Sequence, residues 1–347
     1  MASRVARVFE TALLPLGVLA LIVLIWQIGP DERSQLVQLM GTVKWWFLAI
    51  VLQEIVAHAA NTAGLLACLP LDRPKLGFLY TFAARLAGEG VNATMPTATV
   101  GGELLKISLL SRRAPGSRVT AGISAAYASQ ALAQMLFTAA ALPLALPALV
   151  LPPELAGFKW LIVVFVGGGL VATYFFANVT RHGTFERVHG LFRWIGLGKK
   201  GSRTHEVTTR IDDAARDAKE ASPLGFMVSV IYFFVGWAWG VVEVALVFYA
   251  CGQPVDLVKC LAIESLSSFV DAVFFFVPGQ MGTREIGLVG IVRGLGLNPA
   301  LGLSLGLVRR GRVLAWAAVG IVCLAWFRRT ATGEEEAPVP VEVAGGP

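Results

Sequence analysis

Two stretches of the chain place an acid, a proline and a glutamate at one spacing: Glu89, Pro96 and Glu103 in GEGVNATMPTATVGGELLK, and Asp271, Pro278 and Glu285 in DAVFFFVPGQMGTRE. In each, the proline lies seven positions after the acid and the glutamate seven after the proline. Both copies sit in otherwise apolar sequence, in opposite halves of the chain. Proline frees backbone carbonyls, and Gly101, Gly102, Gly279 and Gly282 admit unwound backbone and close approach. Apolar segments broken by Gly and Pro at corresponding positions of two halves point to the substrate site of a transporter built from inverted repeats. The plainer reading is two kinked helices that close a bundle.

Other ionisable residues also stand in apolar sequence: Glu54, His58, Arg85, Glu243, Glu264, Arg284, Arg309, Arg310 and Arg312. Each costs about 2.5–3.5 kcal/mol to insert at membrane depth, so each is a functional candidate until a partner is found. The arginine run is the sharpest cluster. The last apolar stretch begins near Ala300, so the run lies about 15–18 Å down a helix, too deep for easy snorkelling. Guanidinium forks suit phosphate; the alternative is pairing with Glu285 and Glu264. Arg85 and Glu89 lie one helical turn apart and read as a structural pair. Glu54, His58 and Asn61 share one helix face, but the spacing is not that of a zinc helix and reads as a polar helix contact. Gly302 and Gly306 read as a helix-packing pair.

These residues need spans to hold them. Hydrophobic residues make up 56% of the chain and charged residues 15%, with a mean hydropathy of +0.68, beyond what a soluble core requires. Apolar runs at 12–28, 45–69, 119–142, 160–177, 224–250 and 300–327 approach or exceed the ~20 residues of a spanning helix. The first is longer than a signal h-region and reads as a retained helix. The net charge of +6 lies mostly between spans, as the positive-inside bias requires, and does not call for a nucleic-acid partner. Cys68, Cys251, Cys260 and Cys323 are scattered and read as packing residues. No nucleotide, metal or cofactor motif appears.

Charge sets the topology. Arg4 and Arg7, the turn at Asp72–Lys75, Arg112–Arg118, the basic segment 178–222 and Arg328–Arg329 all mark the cytoplasm. The stretch 76–110 therefore enters and leaves on one side. Its two arms, each about 22 Å long as helix, are too short for ~30 Å of hydrocarbon, so it forms a re-entrant hairpin. The segment 255–297 must begin and end on the opposite side. The expected fold is all-α: six full spans plus two inverted re-entrant helical hairpins. A single domain covers 1–329, with inverted halves at about 44–177 and 223–329, a basic cytoplasmic segment at 178–222, and a disordered acidic tail at 330–347. Asp31 and Glu32 fall in a loop after the first span.

GEGVNATMPTATVGGELLKISLLSRR with SQALAQMLFTAAAL, and IESLSSFVDAVFFFVPGQMGTREIGLVGIVRGLGL with LVRRGRVLAW, resemble the flippase-like membrane domain of lysylphosphatidylglycerol synthases, nearest its hopanoid-biosynthesis-associated members. The resemblance spans about Trp45 to Phe327. It implies lipid handling in the bacterial inner membrane without the soluble aminoacyl-transferase domain. Tyr127, Ser129 and Gln130 stand where such proteins often carry an acid or arginine. The expected function is movement of an anionic, polyprenyl-linked or hopanoid-type lipid, with lipid-biosynthesis proteins as further partners. The expected substrate-binding set is Glu89, Asn92, Glu103, Asp271, Arg284, Glu285, Arg309, Arg310 and Arg312. The alternatives are an intramembrane lipid transferase using Glu103 or Glu285 as base, and a scaffold of a lipid-synthesis complex.

Overall fold

The fold is that of a computed structural model, which describes residues 30–69, 72–94, 100–150, 157–181, 223–273 and 282–335. The first expected span, Pro96, Pro278, Gly279, the basic segment beyond Arg181 and residues 336–347 lie outside the described residues. Those described form eleven helices: α1 Pro30–Val43, α2 Trp46–Ala67, α3 Arg73–Leu76, α4 Phe78–Thr94, α5 Val100–Leu110, α6 Gly116–Ala148, α7 Gly157–Arg181, α8 Pro223–Ala250, α9 Leu257–Val273, α10 Thr283–Gly294 and α11 Pro299–Glu335. Four have the length and apolarity to cross a membrane: 46–67, 116–148, 224–250 and 299–329. α7 is a 25-residue helix, whose described apolar stretch, Lys159–Val171, is shorter. One expectation is corrected: Asp31 and Glu32 begin a helix, not a loop. Proline at the first helical position and acids in the first turn suit a helix N-terminus.

α4 and α5 form an antiparallel pair. The Tyr80 hydroxyl donates to Leu109 O at 2.7 Å near the open end, and Gly102 N donates to Asn92 Oδ1 at 2.8 Å near the tip. α9 and α10 form a second pair, in which Arg284 Nε donates to Asp271 Oδ1 at 2.9 Å. The arms are 17 and 11 residues in the first pair and 17 and 12 in the second. At 1.5 Å per residue none exceeds about 26 Å.

Both pairs dock on α11 from opposite ends. α10 packs on its first half, where a Cβ added to Gly302 would lie 2.8 Å from Leu288 O and one on Gly306 3.0 Å from Glu285 Cγ. α4 packs on its second half, antiparallel to it. A Cβ on Gly320 would lie 2.1 Å from Leu86 O, and the Tyr80 and Phe327 rings meet edge to face at 5.1 Å. The described ends of the two pairs, near Thr94 and Thr283, therefore face one another near the middle of α11. Gly302 and Gly306 thus serve the packing their spacing suggested.

The element pairs repeat in a matching way. α4 packs on α11 and α9 on α6, while α2 and α8, which precede the two hairpins, pack on each other. An exchange of α2 with α8, α4 with α9, α5 with α10 and α6 with α11 maps these pairs onto one another. Apolar side chains gather in two clusters, one at each end. The first joins Val244–Cys251, Cys260–Phe269, Leu288–Leu295 and Leu301–Val308. The second joins Leu65–Leu69, Leu76–Ala87, Leu109–Ala114 and Phe327. Between them α2, α6, α8, α9 and α11 each present polar or charged side chains.

A methyl at Gly320 would strike backbone, which cannot rotate away. Gly320→Ala should push α4 off α11 and cost roughly 1–3 kcal/mol, read as a fall of several degrees in thermal unfolding in detergent. Gly168→Ala, where an added Cβ meets nothing within 4 Å, should leave the transition in place.

Candidate functional site

The polar belt encloses a cavity of about 180 Å³, lined by Glu54, Ala57 and Asn61 of α2, Gln130 of α6, Gly236, Trp237, Gly240 and Glu243 of α8, Glu264 and Asp271 of α9, Arg284 of α10, and Arg309 and Arg312 of α11. Its shape comes from the sequence. Gly236 and Gly240 lie one turn apart on α8, and both give way to polar side chains. A Cβ on Gly240 would meet Glu264 Oε1 at 2.2 Å and one on Gly236 would meet Asn61 Oδ1 at 2.8 Å.

Its electrostatics are those of a cross-linked ion network. Arg309, 5% exposed, pairs with Glu264 and donates from Nε to Glu243 Oε2 at 3.1 Å. Arg312 pairs with Glu54 and holds Nε 3.2 Å from Glu243 Oε1. Arg284 pairs with Asp271 across the second hairpin. Beside the cavity, Arg310 grips Glu285 with two donors, one at 3.0 Å. Glu285 is fully buried and also accepts from Gly282 N at 2.9 Å, closing the first turn of α10. Gly282 has φ of 80°, a conformation open to glycine and strained for other residues. Charges this deep require such partners, because an isolated buried ion costs several kcal/mol.

The first hairpin carries a separate group. Arg85 pairs with Glu89 and donates to His58 O at 3.1 Å, and Glu103 pairs with Lys106 at 2.6 Å. A Cβ on Gly102 would lie 2.1 Å from Gly88 O, so the arms touch backbone to backbone there. Gly101 lies beside it in the first turn of α5.

Of the nine substrate-binding candidates, Asp271, Arg284, Arg309 and Arg312 line the cavity. Glu285 and Arg310 stand beside it, bound to each other. Glu89, Asn92 and Glu103 stay on the first hairpin, held by Arg85, Gly102 N and Lys106 respectively. Both alternatives for the arginine run therefore have a footing: its members are paired with acids, and two of them face the cavity. Glu264 is the arginine partner that the sequence offers, whereas Glu54, read as a polar helix contact, and Glu243, read only as a deep acid, also carry the network. The signal for them is charge balance, since three adjacent deep arginines call for as many carboxylates elsewhere in the spans. Lys106 was overlooked although it lies one turn from Glu103. Among the described residues no group of three or more His, Cys, Asp or Glu could hold a metal ion.

A family model, that of the lysylphosphatidylglycerol synthase TM region, matches residues 8–327, and the chain belongs to that family. No curated protein and no solved structure matches it.

Arg310→Ala should leave the Glu285 carboxylate buried and unpaired, at a cost of roughly 3–5 kcal/mol. The double variant Glu285→Gln with Arg310→Gln should recover much of that loss, because a neutral amide still accepts from Gly282 N. Thermal unfolding of the three proteins in one detergent checks both outcomes.

Proposed function

We propose that this member of the lysylphosphatidylglycerol synthase TM-region family moves a lipid bearing an anionic headgroup, of polyprenyl-linked or hopanoid type, between the leaflets of the bacterial inner membrane. The observation that carries the reading is the meeting of two short helical hairpins, tip towards tip, beside a buried arginine-lined cavity. Arms of about 16–26 Å fall short of ~30 Å of hydrocarbon, which supports hairpins that dip into the bilayer from opposite faces. Arg118 reaches Asp72 at 3.3 Å, so the chain just before α4 and just after α5 lies together, as a shared cytoplasmic mouth requires. On this reading both termini are cytoplasmic.

The cavity suits a headgroup and not a whole lipid. At about 180 Å³ it is below the roughly 300 Å³ at which pockets begin to enclose a drug-sized molecule, so the tails stay in the bilayer while the headgroup enters. Arg284, Arg309 and Arg312 supply guanidinium forks to a phosphate, with bonds roughly twice as strong as neutral ones. Each fork must first leave a carboxylate. Arg284 holds Asp271 and Arg312 holds Glu54, each on a different helix, so exchange of carboxylate for phosphate loosens α9 from α10 and α2 from α11. That exchange gives the headgroup a means of moving the hairpins, as a switch built from paired charges does. Arg310 acts through Glu285, keeping the second hairpin's tip formed.

Arg312→Ala should slow leaflet-resolved lipid movement in proteoliposomes by about 30-fold or more, the loss expected when a buried charged partner costs at least ~2 kcal/mol. Arg312→Lys should restore only part of the rate, because an ammonium lacks the planar fork. Wild-type rates in Arg312→Ala, with the protein folded and inserted, would remove the phosphate role.

A further inference from the structure

The cavity lining holds four carboxylates, Glu54, Glu243, Glu264 and Asp271, against three guanidiniums, Arg284, Arg309 and Arg312. An incoming phosphate therefore meets one surplus negative charge among these side chains. Coulomb repulsion at a few ångströms opposes the anion, so its entry is favoured by a compensating positive charge close by.

His58 stands where that charge could be taken up. It is 8% exposed, and neither ring nitrogen makes a hydrogen bond. A buried polar group left in that state calls for an explanation. Its Nδ1 lies 3.4 Å from Glu89 Oε2, and the Trp316 ring packs against it in an edge-type contact at 4.4 Å between centroids and 64°. The charged groups around it are Glu89 and Arg85 of α4, Glu54 one turn away on its own helix, and Arg312 of α11 within electrostatic reach. Beyond Glu89 lie Lys106 and Glu103 of α5, with Tyr127 of α6 under the Lys106 ammonium. Two helices connect His58 to the cavity. Glu54 and His58 are successive turns of α2, and Arg312 and Trp316 successive turns of α11.

We propose that His58 and Glu89 form a proton-binding site that couples lipid movement to a transmembrane proton gradient, one proton accompanying each anionic headgroup. The inference rests on the lipid-moving reading above. Neutral imidazole accepts a proton at one nitrogen to become imidazolium, with Glu89 as counter-ion. The new charge offsets the surplus carboxylate one turn away, and the proton leaves on the other side when the headgroup does.

The test is the steady-state leaflet distribution of a labelled anionic phospholipid in vesicles holding the whole chain, with a pH gradient of either sign and the membrane potential clamped. Protein-free vesicles set the background. One coupled proton should shift the distribution by up to about tenfold per pH unit, reversing with the gradient. His58→Gln should still move lipid at symmetric pH while its distribution no longer follows the gradient, and Glu89→Gln should lose the gradient response as well. Lipid movement by the wild type without a gradient response would overturn the proton site alone, as would a full response in His58→Gln. No lipid movement by the wild type under any gradient would overturn the lipid-moving reading, and the coupling with it.

Discussion

The fold depends on pairing charge deep within an apolar bundle. Nine ionisable side chains, Glu54, Glu243, Glu264, Asp271, Glu285, Arg284, Arg309, Arg310 and Arg312, meet in one belt between two apolar clusters. None could stand there alone at tolerable cost. Their pairs run between helices: α11 to α8 and α9 through Arg309, α11 to α2 and α8 through Arg312, α11 to α10 through Arg310. The last helix is thus the post to which both halves are tied. Deep charges hold the register, and the apolar clusters above and below supply the bulk of the packing.

Glycine decides how close the halves can come. Gly302 and Gly306 let α10 lie on one half of α11, and Gly320 lets α4 lie on the other. At Gly302 and Gly320 the contact is backbone to backbone, where a methyl-sized addition would break it, and at Gly306 it is with the Glu285 side chain. The ion pairs are of another kind, since an arginine can exchange one carboxylate or phosphate for another without a void forming. On the proposed function, close glycine contacts keep the hairpins docked while exchange within the belt alters how α2, α9 and α10 sit. Rigid seams and exchangeable charges then divide the labour.

Much of this was legible in the sequence. Doubled acid–proline–glutamate spacing marked both helix pairs, and basic residues at both ends of 76–110 together with arms too short to cross a bilayer gave the hairpin reading. The arginine run and its acid partners were legible as charges that must be paired, and Gly302 with Gly306 as a packing face. What the sequence hid was assignment. Nothing local says that Arg312 takes Glu54, 258 residues away, or that Arg309 takes two acids while Arg310 takes Glu285. Such choices are made by the rotation of each helix, which the packing of the whole bundle sets. The helix at Pro30–Val43 was missed for a different reason: its two acids suggested a loop, although acids in a first turn are equally a helix start. Gly236 and Gly240 were passed over because their function, making room for Asn61 and Glu264, exists only once α2 and α9 are alongside.

The central claim is that two hairpins of opposite entry meet on one shared helix, and side-specific labelling tests it most directly. Single cysteines replace Pro74 and Ser117, at the mouth of the first hairpin, and Gln253 and Asn298, at the mouth of the second, in a chain whose four native cysteines have been removed. Labelling of Pro74→Cys and Ser117→Cys from the cytoplasmic face alone, and of Gln253→Cys and Asn298→Cys from the opposite face alone, is the predicted result. Labelling of Pro74→Cys and Ser117→Cys from opposite faces would make α4 and α5 a full crossing and contradict the account.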